Sequence, residues 1–368
     1  MSKRPIKVLI VDDSLLVRNI IADILTNEDD IEVVATGKTG VDCVELSKKL
    51  NPDLIVLDIE MPVMDGLSAL SELKKNRLRI PTIMLSVLTQ HGADATFRAL
   101  ELGAIDFIPK PSSQIQMDTK ELGRILIQRI RGYFDGSGST PNAKESTKTS
   151  STEKIVRTFP EKTAVDKKLG TTRIAEYEVI CFGTSTGGPK ALQTIVQAFP
   201  GDLKIPVFIV QHMPAGFTKA FADRMNGFCK LHVKEAENGE PVVPGTVYIA
   251  PGDFHMKISN KSGAKFIELD KSPVVNGHRP SIEMTFDSLR EVYGGHKIVA
   301  TIMTGMGRDG ADAIKRIHDA KGFTLAQDES SSVIYGMNKY AVEIGAIDRV
   351  KPLVEILPNV LDIVNQRG

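Results

Sequence analysis

Short hydrophobic runs alternate with helix-spaced segments in the first third of the chain. The segments between the runs, such as LLVRNIIADIL and VDCVELSKKL, repeat apolar residues every three or four positions, as amphipathic helices do. The runs are too short for helices and are rich in valine, isoleucine and leucine, which is typical of buried strands. This alternation predicts an α/β domain within residues 1–134, with a five-stranded parallel sheet covered on both faces. The runs are IKVLIVDD, IEVVAT, DLIVLDIE, PTIMLS and AIDFIPK.

The second half of the chain resumes this alternation after an interruption. Residues 135–175 contain GSGSTPNAKESTKTSSTEK and few large apolar side chains, so we expect a linker there. Over residues 176–368 the hydrophobic runs return with longer units, which predicts a second, doubly wound α/β domain. Short alternating runs from Val242 to Asp270, split by Pro-Gly and Ser-Gly, indicate an antiparallel hairpin insertion.

Length and composition narrow the class of protein. A chain of 368 residues exceeds what one hydrophobic core usually organises, which fits two domains. Basic and acidic residues balance at 46 each, so no net charge attracts nucleic acid or an anionic membrane. Without an apolar run long enough for membrane insertion, or a signal-peptide pattern, we expect a cytoplasmic protein, and a monomer. The scattered Cys43, Cys181 and Cys229 do not suggest disulfides or a zinc site.

The segment GTSTGG at residues 183–188 places a serine between a predicted strand, Tyr177–Phe182, and a predicted helix. The spacing Gly183-x-Ser185-x-Gly187 is that of a nucleophile elbow, in which a strained serine raises its hydroxyl at the carboxyl edge of a sheet. A phosphate-binding loop would need lysine where Pro189 stands, and a dinucleotide-binding loop would need glycine in place of Ser185. An ordinary glycine-rich turn is the remaining alternative.

A serine nucleophile needs a base, usually an imidazole that is oriented by a carboxylate. Of the seven histidines, only His212 closes a predicted parallel strand, IPVFIVQH, and so reaches the edge where Ser185 lies. Asp309 follows the run KIVATIMTG in a glycine-rich turn, which predicts a triad of Ser185, His212 and Asp309. The competing interpretation of Asp309 is an N-cap of the following helix. The chain order differs from that of α/β hydrolases, which share the elbow.

A second group of polar residues marks strand ends in the first domain. Asp12 and Asp13 close the first run and Asp58 closes the third, and carboxyl ends of parallel strands meet at one edge. Three carboxylates repel one another unless a cation neutralises them, and magnesium prefers such oxygen ligands. Ser86 and Lys110 end the fourth and fifth runs. The set predicts a phosphoryl-transfer site in which Asp58 is the acceptor.

These motifs resemble those of response-regulator receiver domains over about residues 5–133. The matching segments are DD at residues 12 and 13, DIEMPVMDG from Asp58, LSVLT from Leu85 and FIPKP from Phe107. The resemblance implies a flavodoxin-like fold, a sensor histidine kinase as phosphodonor, and magnesium held by Asp13, Asp58 and the carbonyl of Glu60. Phe107 lies at the family's aromatic switch position, although a phenylalanine inside a strand also fits plain core.

The motifs GTSTGG, QHMPAGFT and TGMGRDG, behind such a receiver, resemble the chemotaxis protein-glutamate methylesterase family over nearly the whole chain apart from the linker. The family's catalytic positions fall on Ser185, His212 and Asp309, and backbone groups near Thr186 and Met306 are implied to hold the oxyanion. The resemblance implies hydrolysis, without a cofactor, of glutamate methyl esters and some glutamine amides on methyl-accepting chemoreceptors.

The two sites suggest regulation of one by the other. We expect the unphosphorylated receiver to cover the hydrolase face, and phosphate on Asp58 to reshape the surface around Ser86 and Phe107 so that the site opens.

Two other functions stay open. A receiver joined to a DNA-reading domain is disfavoured by the neutral charge, and a nucleotide-dependent enzyme built on GTSTGG is disfavoured by Pro189.

Overall fold

The computed structural model of the protein describes residues 4–87, 90–110, 119–136 and 177–365. Most of the predicted linker, 135–175, lies outside these residues; its first two positions belong to the last helix of the N-terminal domain. No helix within the described residues is both long enough and apolar enough to cross a bilayer.

The N-terminal domain has the predicted α/β architecture. Within its described residues, five strands form one parallel sheet in the order β2-β1-β3-β4-β5, which is the flavodoxin-like order. The strands are β1 (Ile6–Val11), β2 (Ile31–Gly37), β3 (Leu54–Asp58), β4 (Thr82–Ser86) and β5 (Asp106–Pro109). The helices are α1 (Leu15–Thr26), α2 (Gly40–Leu50), α3 (Gly66–Lys75), α4 (Gln90–Leu102) and α5 (Thr119–Gly136).

The C-terminal domain is built on a larger parallel sheet. Within residues 177–365, seven strands lie in the order β14-β13-β12-β6-β7-β9-β8, and β10 and β11 form a separate antiparallel hairpin. The strands are β6 (Val179–Thr184), β7 (Val207–Gln211), β8 (His232–Glu235), β9 (Thr246–Ile249), β10 (His255–Lys261), β11 (Ala264–Asp270), β12 (Ile298–Ile302), β13 (Phe323–Gln327) and β14 (Arg349–Lys351). The helices are α6 (Gly188–Val196), α7 (Phe217–Asn226), α8 (Ile282–Tyr293), α9 (Ala311–Asp319), α10 (Met337–Glu343) and α11 (Leu353–Asn365), with a short 3-10 helix at Gly295–Lys297.

The structure confirms the hairpin insertion and corrects its extent. The sequence interpretation of Val242 to Asp270 as wholly antiparallel is wrong for β9, which pairs in parallel with β7 and β8. All four residues of β9 are buried, as expected of a strand covered on both faces, whereas β10 and β11 are partly exposed.

Buried strands and capped helices explain why the sequence forms these elements. The central strands β3, β4, β6, β7 and β12 are buried at every position, so alternate side chains fill cores on both faces of each sheet. Local signals begin the helices: the Ser14 hydroxyl caps α1, Thr39 and Asp42 form a capping box at α2, and Asp65 caps α3.

The two domains pack directly against each other through aromatic side chains. Phe97 on α4 lies against Phe221 on α7, with ring centroids 5.5 Å apart. Phe107 on β5 lies against Phe217 at the start of α7, with centroids 4.7 Å apart. These pairs join the hydrophobic cores of the two domains into one cluster. Phe107 is therefore buried by the other domain and not only by its own.

Candidate active site

Ser185 directly follows the central strand β6 and precedes α6. Its backbone N–H donates to the carbonyl of Thr304 at 3.0 Å, and the residue is only 4% exposed. The prediction that Ser185 itself is strained is wrong, because the left-handed backbone of this turn is at Gly187, with φ of 79°. A side chain at position 187 would also meet Val333 at 2.6 Å, which explains the glycine there.

His212 follows β7, the neighbour of β6 in the sheet. Its backbone N–H donates to the carbonyl of Thr184 at 3.1 Å, so the chain at His212 lies beside the chain at Ser185. Gln211 strengthens this connection, because its amide group donates to the carbonyls of Ser185 at 3.0 Å and His212 at 3.1 Å. The candidate base and the candidate nucleophile are thus held on adjacent strand ends.

Asp309 lies in the loop after β12, the other neighbour of β6, and is 1% exposed. Its Oδ2 is 2.8 Å from Nε2 of His212 and accepts the N–H of Ile282 at 2.7 Å. Its Oδ1 accepts the Ser281 hydroxyl at 2.8 Å and the Asn276 amide at 3.1 Å. The three predicted residues therefore follow adjacent strands, β7, β6 and β12, at one edge of the sheet, where ligands bind in doubly wound folds.

The surroundings of Asp309 keep its carboxylate charged. Burial by itself would raise its pKa, but the hydrogen bonds from His212, Asn276 and Ser281 outweigh burial and hold the pKa below its usual range. The carboxylate also lies at the N-terminus of α8, where the helix dipole favours a negative charge. The alternative of Asp309 as N-cap of the following helix is wrong, since Gly310 holds that position in α9.

The bond from Nε2 of His212 to a charged carboxylate fixes the tautomer. Nε2 carries the proton and donates it to Asp309, which leaves Nδ1 with a free lone pair. Among the described residues Nδ1 has no hydrogen-bond partner, although it is buried. The hydroxyl of Ser185 therefore does not bond Nδ1 in this conformation, and the nitrogen is available to accept its proton.

The two residues proposed to flank the oxyanion are both contacted by the N-terminal domain. The Thr186 hydroxyl donates to Oδ2 of Asp106 on β5 at 2.6 Å and accepts from Arg129 on α5 at 2.6 Å, while Arg129 also pairs with Asp106. Met306 packs on Gly132 of α5, where a Cβ would lie 2.0 Å from the methionine sulfur. Access to this side of Ser185 thus depends on the position of the N-terminal domain.

The acidic cluster of the N-terminal domain assembles as predicted. Carboxylate oxygens of Asp12, Asp13 and Asp58 all lie within 4.8 Å of one another. The ammonium group of Lys110 is 2.7 Å from Oδ2 of Asp12 and 2.7 Å from Oδ2 of Asp58. Burial raises the pKa of Asp58 to about 6 against the opposing effect of Lys110, and Asp12 adds to the rise. This crowding of carboxylates is what a divalent cation would relieve.

The remaining predicted residues of that site lie around Asp58. The backbone N–H of Glu60 faces Oδ1 of Asp58 at 3.4 Å, which places the Glu60 backbone beside the candidate acceptor. Ser86 is 1% exposed at the end of β4, and its hydroxyl is 2.5 Å from that of Thr96 on α4. A change at Ser86 would thus alter its hydrogen bond to α4, the helix whose Phe97 contacts the C-terminal domain.

Comparison with known proteins gives a family for each of the two domains. The sequence matches the family model described as CheB methylesterase over residues 180–360 and the response regulator receiver domain over residues 8–120. A protein-glutamate methylesterase/protein-glutamine glutaminase of Pyrococcus horikoshii is 42% identical over 361 residues, covering 98% of this chain and 94% of that protein. The chain belongs to the protein-glutamate methylesterase family.

Other relatives extend this likeness. The protein-glutamate methylesterase/protein-glutamine glutaminase 1 of Syntrophomonas wolfei is 40% identical over 97% of this chain and 99% of its own length. The crystal structure of the CheB methylesterase catalytic domain of Thermotoga maritima is 41% identical and covers 51% of this chain and 100% of its own, with a TM-score of 0.50. The chain therefore combines a receiver domain with a methylesterase domain.

The sequence interpretation missed the residues that hold the triad in place. Asn276 and Ser281 both donate to Asp309, and the ring of His278 lies flat against His212, with centroids 3.7 Å apart and planes 12° apart. They lie in the long segment between β11 and α8. The sequence signal available was Asn276-Gly277, the pair most typical of a tight turn with two left-handed residues.

Proposed function

We propose that the chain is a phosphorylation-activated hydrolase that demethylates glutamate methyl esters, and deamidates glutamines, on methyl-accepting chemoreceptors in chemotaxis adaptation. The observation that carries the hydrolytic part is the hydrogen bonding of the His212 ring. Its Nε2 is bonded to the buried carboxylate of Asp309, while its Nδ1 is unpartnered among the described residues and the chain at Ser185 lies beside it. That is the arrangement of a base awaiting a hydroxyl proton.

In the proposed reaction, Nδ1 of His212 takes the proton of the Ser185 hydroxyl as Oγ attacks the ester carbonyl carbon. The resulting oxyanion is held by backbone groups near Thr186 and Met306. Collapse of this intermediate breaks the bond to the methoxy group, which leaves as methanol with the proton from His212. His212 then deprotonates a water, which attacks the acyl carbon. The bond from the acyl carbon to Oγ of Ser185 breaks, His212 returns the proton to Oγ, and the glutamate side chain is released. With a glutamine amide, ammonia leaves in place of methanol.

Asp309 orients the ring and stabilises the imidazolium that forms in each step. It does not exchange a proton, because its lowered pKa keeps it ionised at neutral pH. General-base catalysis of this kind supplies about 10²–10⁴-fold, and one oxyanion donor about 10²–10³-fold.

We further propose that Asp58 is the phosphoryl acceptor and that a histidine kinase is the phosphodonor. The carboxylates of Asp13 and Asp58, with the Glu60 carbonyl, would hold a magnesium ion, and Asp12 lies in the same cluster. When bound, the ion would neutralise charge on the transferring phosphoryl group. Lys110, at 2.7 Å from Asp58, would contact a phosphoryl oxygen.

Regulation is proposed to act through the contacts between the domains. The Arg129, Asp106 and Thr186 cluster joins the receiver to the residue after the nucleophile, and Phe107 packs on Phe217. Because Ser86, at the end of β4, is bonded to Thr96 of α4, an altered Ser86 would shift α4 and weaken the contact of Phe97 with Phe221 between the domains. The hydrolase face would then open.

The function is tested by methanol release from chemoreceptor membranes that carry methyl esters. The wild-type protein should release methanol, faster with a small phosphodonor, and Ser185→Ala should release none above background. Asp58→Asn should keep the basal rate and lose the stimulation. Turnover by Ser185→Ala would refute the nucleophile, and full stimulation of Asp58→Asn would refute the acceptor.

A further inference from the structure

A tight turn at Val275–His278 reaches both the acid and the base of the triad. Two backbone hydrogen bonds close it, from His278 N–H to the Val275 carbonyl at 3.0 Å and from Val275 N–H to the His278 carbonyl at 3.1 Å. Both central residues have left-handed backbone, Asn276 with φ of 52° and Gly277 with φ of 81°. That conformation is the one for which Asn-Gly pairs are preferred, so the sequence fixes the shape of the turn.

The two ends of the turn contact different catalytic groups. The amide nitrogen of Asn276 donates to Oδ1 of Asp309 at 3.1 Å. The imidazole of His278 stacks on that of His212, with centroids 3.7 Å apart and planes 12° apart. Oδ1 is the carboxylate oxygen that does not bond His212, so Asn276 and the His212 ring hold opposite sides of Asp309.

The hydrogen bond to Asp309 alone does not fix the orientation of the His212 ring. The bond to Cβ and the hydrogen bond at Nε2 still let the imidazole tilt about the line from Cβ to Nε2, and that tilt would move Nδ1 relative to Ser185. A second ring lying flat against the first blocks the tilt, because turning either ring would drive one plane into the other. Nothing else described bonds Nδ1 of His212, so the stack supplies the constraint that the hydrogen bond lacks.

We propose that the Val275–His278 turn is a positioning device for the hydrolytic reaction, in which His278 holds the plane of the His212 ring and Asn276 holds the Asp309 carboxylate. This inference rests on the proposed function of Ser185, His212 and Asp309. His278 is a positioning residue and not the base, since the buried carboxylate bonds His212.

The charge state of His278 suits this role. Burial lowers its pKa, and the neighbouring His212 lowers it further, while Asp309 opposes the change and Arg129 and Arg124 of α5 add to it. The ring is therefore neutral at neutral pH. A neutral ring can stay stacked when His212 becomes an imidazolium in the reaction, whereas a second cation would be repelled.

The test uses variants of His278 in the full-length protein, assayed by methanol release from methylated receptor membranes with a phosphodonor. His278→Phe keeps a flat ring and should retain kcat within about threefold. His278→Ala removes the ring and should lower kcat by about 10- to 100-fold with KM within about twofold, as small errors in the position of a catalytic group do. The matched control is His296→Ala, in an exposed histidine of the 3-10 helix, and should behave as wild type.

A second readout separates positioning from general stability. The Nε2 proton of His212, bonded to Asp309, should give a downfield resonance in proton NMR of wild type and His278→Phe. In His278→Ala we expect that resonance to broaden or disappear while thermal unfolding still shows a folded protein. Asn276→Ala, which keeps the ring, should lower kcat by only a few-fold and keep the resonance.

Two results would overturn the proposal. Wild-type kcat with an unchanged resonance in His278→Ala would show that the stack positions nothing. An equal loss in His278→Phe and His278→Ala would show that a ring nitrogen, and not the flat face, matters. Failure of the proposed function itself appears separately, as methanol release by Ser185→Ala in the same membranes.

Discussion

Replacing Asp309 by asparagine is a sharp perturbation, because the structure predicts which way the amide will face. Oδ2 accepts the backbone N–H of Ile282 at 2.7 Å, a donor that cannot rotate away. Oδ1 accepts the Ser281 hydroxyl at 2.8 Å and the Asn276 amide at 3.1 Å, and both of these groups can turn to present an oxygen. The backbone N–H of Glu283 near Oδ1 is distant, at 3.4 Å.

The new amide should therefore place its oxygen at the Oδ2 position and its nitrogen at the Oδ1 position. His212 then still donates from Nε2, so Nδ1 keeps the lone pair that accepts the Ser185 proton. What is lost is the negative charge. A hydrogen bond to a charged group contributes about 1.5–3 kcal/mol, roughly 1 kcal/mol or more above a neutral one, and about 1.4 kcal/mol is tenfold in rate. For a loss of about 1 to 2.5 kcal/mol, we expect kcat to fall by about 5- to 60-fold.

The assay is methanol release at saturating methylated receptor with a phosphodonor, and Asp312→Asn, an exposed residue in the first turn of α9, is the matched control. A loss near 10⁴-fold would refute the reasoning, because that is the size expected when the amide faces the histidine and selects the wrong tautomer. An unchanged rate would remove Asp309 from the mechanism altogether.

Three further predictions follow from particular contacts. Gly187→Ala should lower the free energy of unfolding by about 2–5 kcal/mol, since it adds a clash with Val333 to the strain of a left-handed backbone. The control Gly239→Ala, at a position with φ of 80° and open space around it, should lower it by only about 1–2 kcal/mol. Equal losses in thermal or urea unfolding would contradict this reasoning. Phe97→Ala removes an aromatic contact between the domains and should raise basal methanol release about 2- to 10-fold without phosphodonor. An unchanged basal rate would argue against the proposal that the unphosphorylated receiver covers the hydrolase face. Because the native pKa of Asp309 is lowered, the unfolding free energy of wild type should exceed that of Asp309→Asn by an amount that is complete above about pH 4 and shrinks as the pH falls further. A difference in unfolding free energy that grows on acidification would contradict the charge assigned to Asp309.

The strands and the triad could be predicted from the sequence because both depend on short-range signals. Buried parallel strands appear as continuous hydrophobic runs. The candidate residues Ser185 and His212 come directly after two of them, and Asp309 lies in the loop after a third. Adjacent strand ends meet at one edge of a sheet whatever the detailed packing. β14 carried no such signal, because its three residues, Arg349–Lys351, are partly polar and exposed.

The contacts that hold the triad could not be predicted, because they depend on how distant segments meet. Asn276 and His278 lie in a stretch without regular structure, and only the path of that stretch across the sheet edge brings them to Asp309 and His212. The partners of the Thr186 hydroxyl come from another domain. The left-handed backbone of the turn is at Gly187 and not at Ser185, and the close approach of Val333 to position 187 comes from a distant segment of the chain.

The most direct test of the central claim, that Ser185 and His212 work as one unit at the sheet edge, is a double-mutant comparison of methanol release. The effects of substituting groups that act together are non-additive, because once one group is removed the other no longer contributes to the rate. We predict that the residual rate of the Ser185→Ala, His212→Ala double variant equals that of Ser185→Ala alone. A double variant slower by the product of the two single losses would contradict the account, because the two residues would then contribute independently.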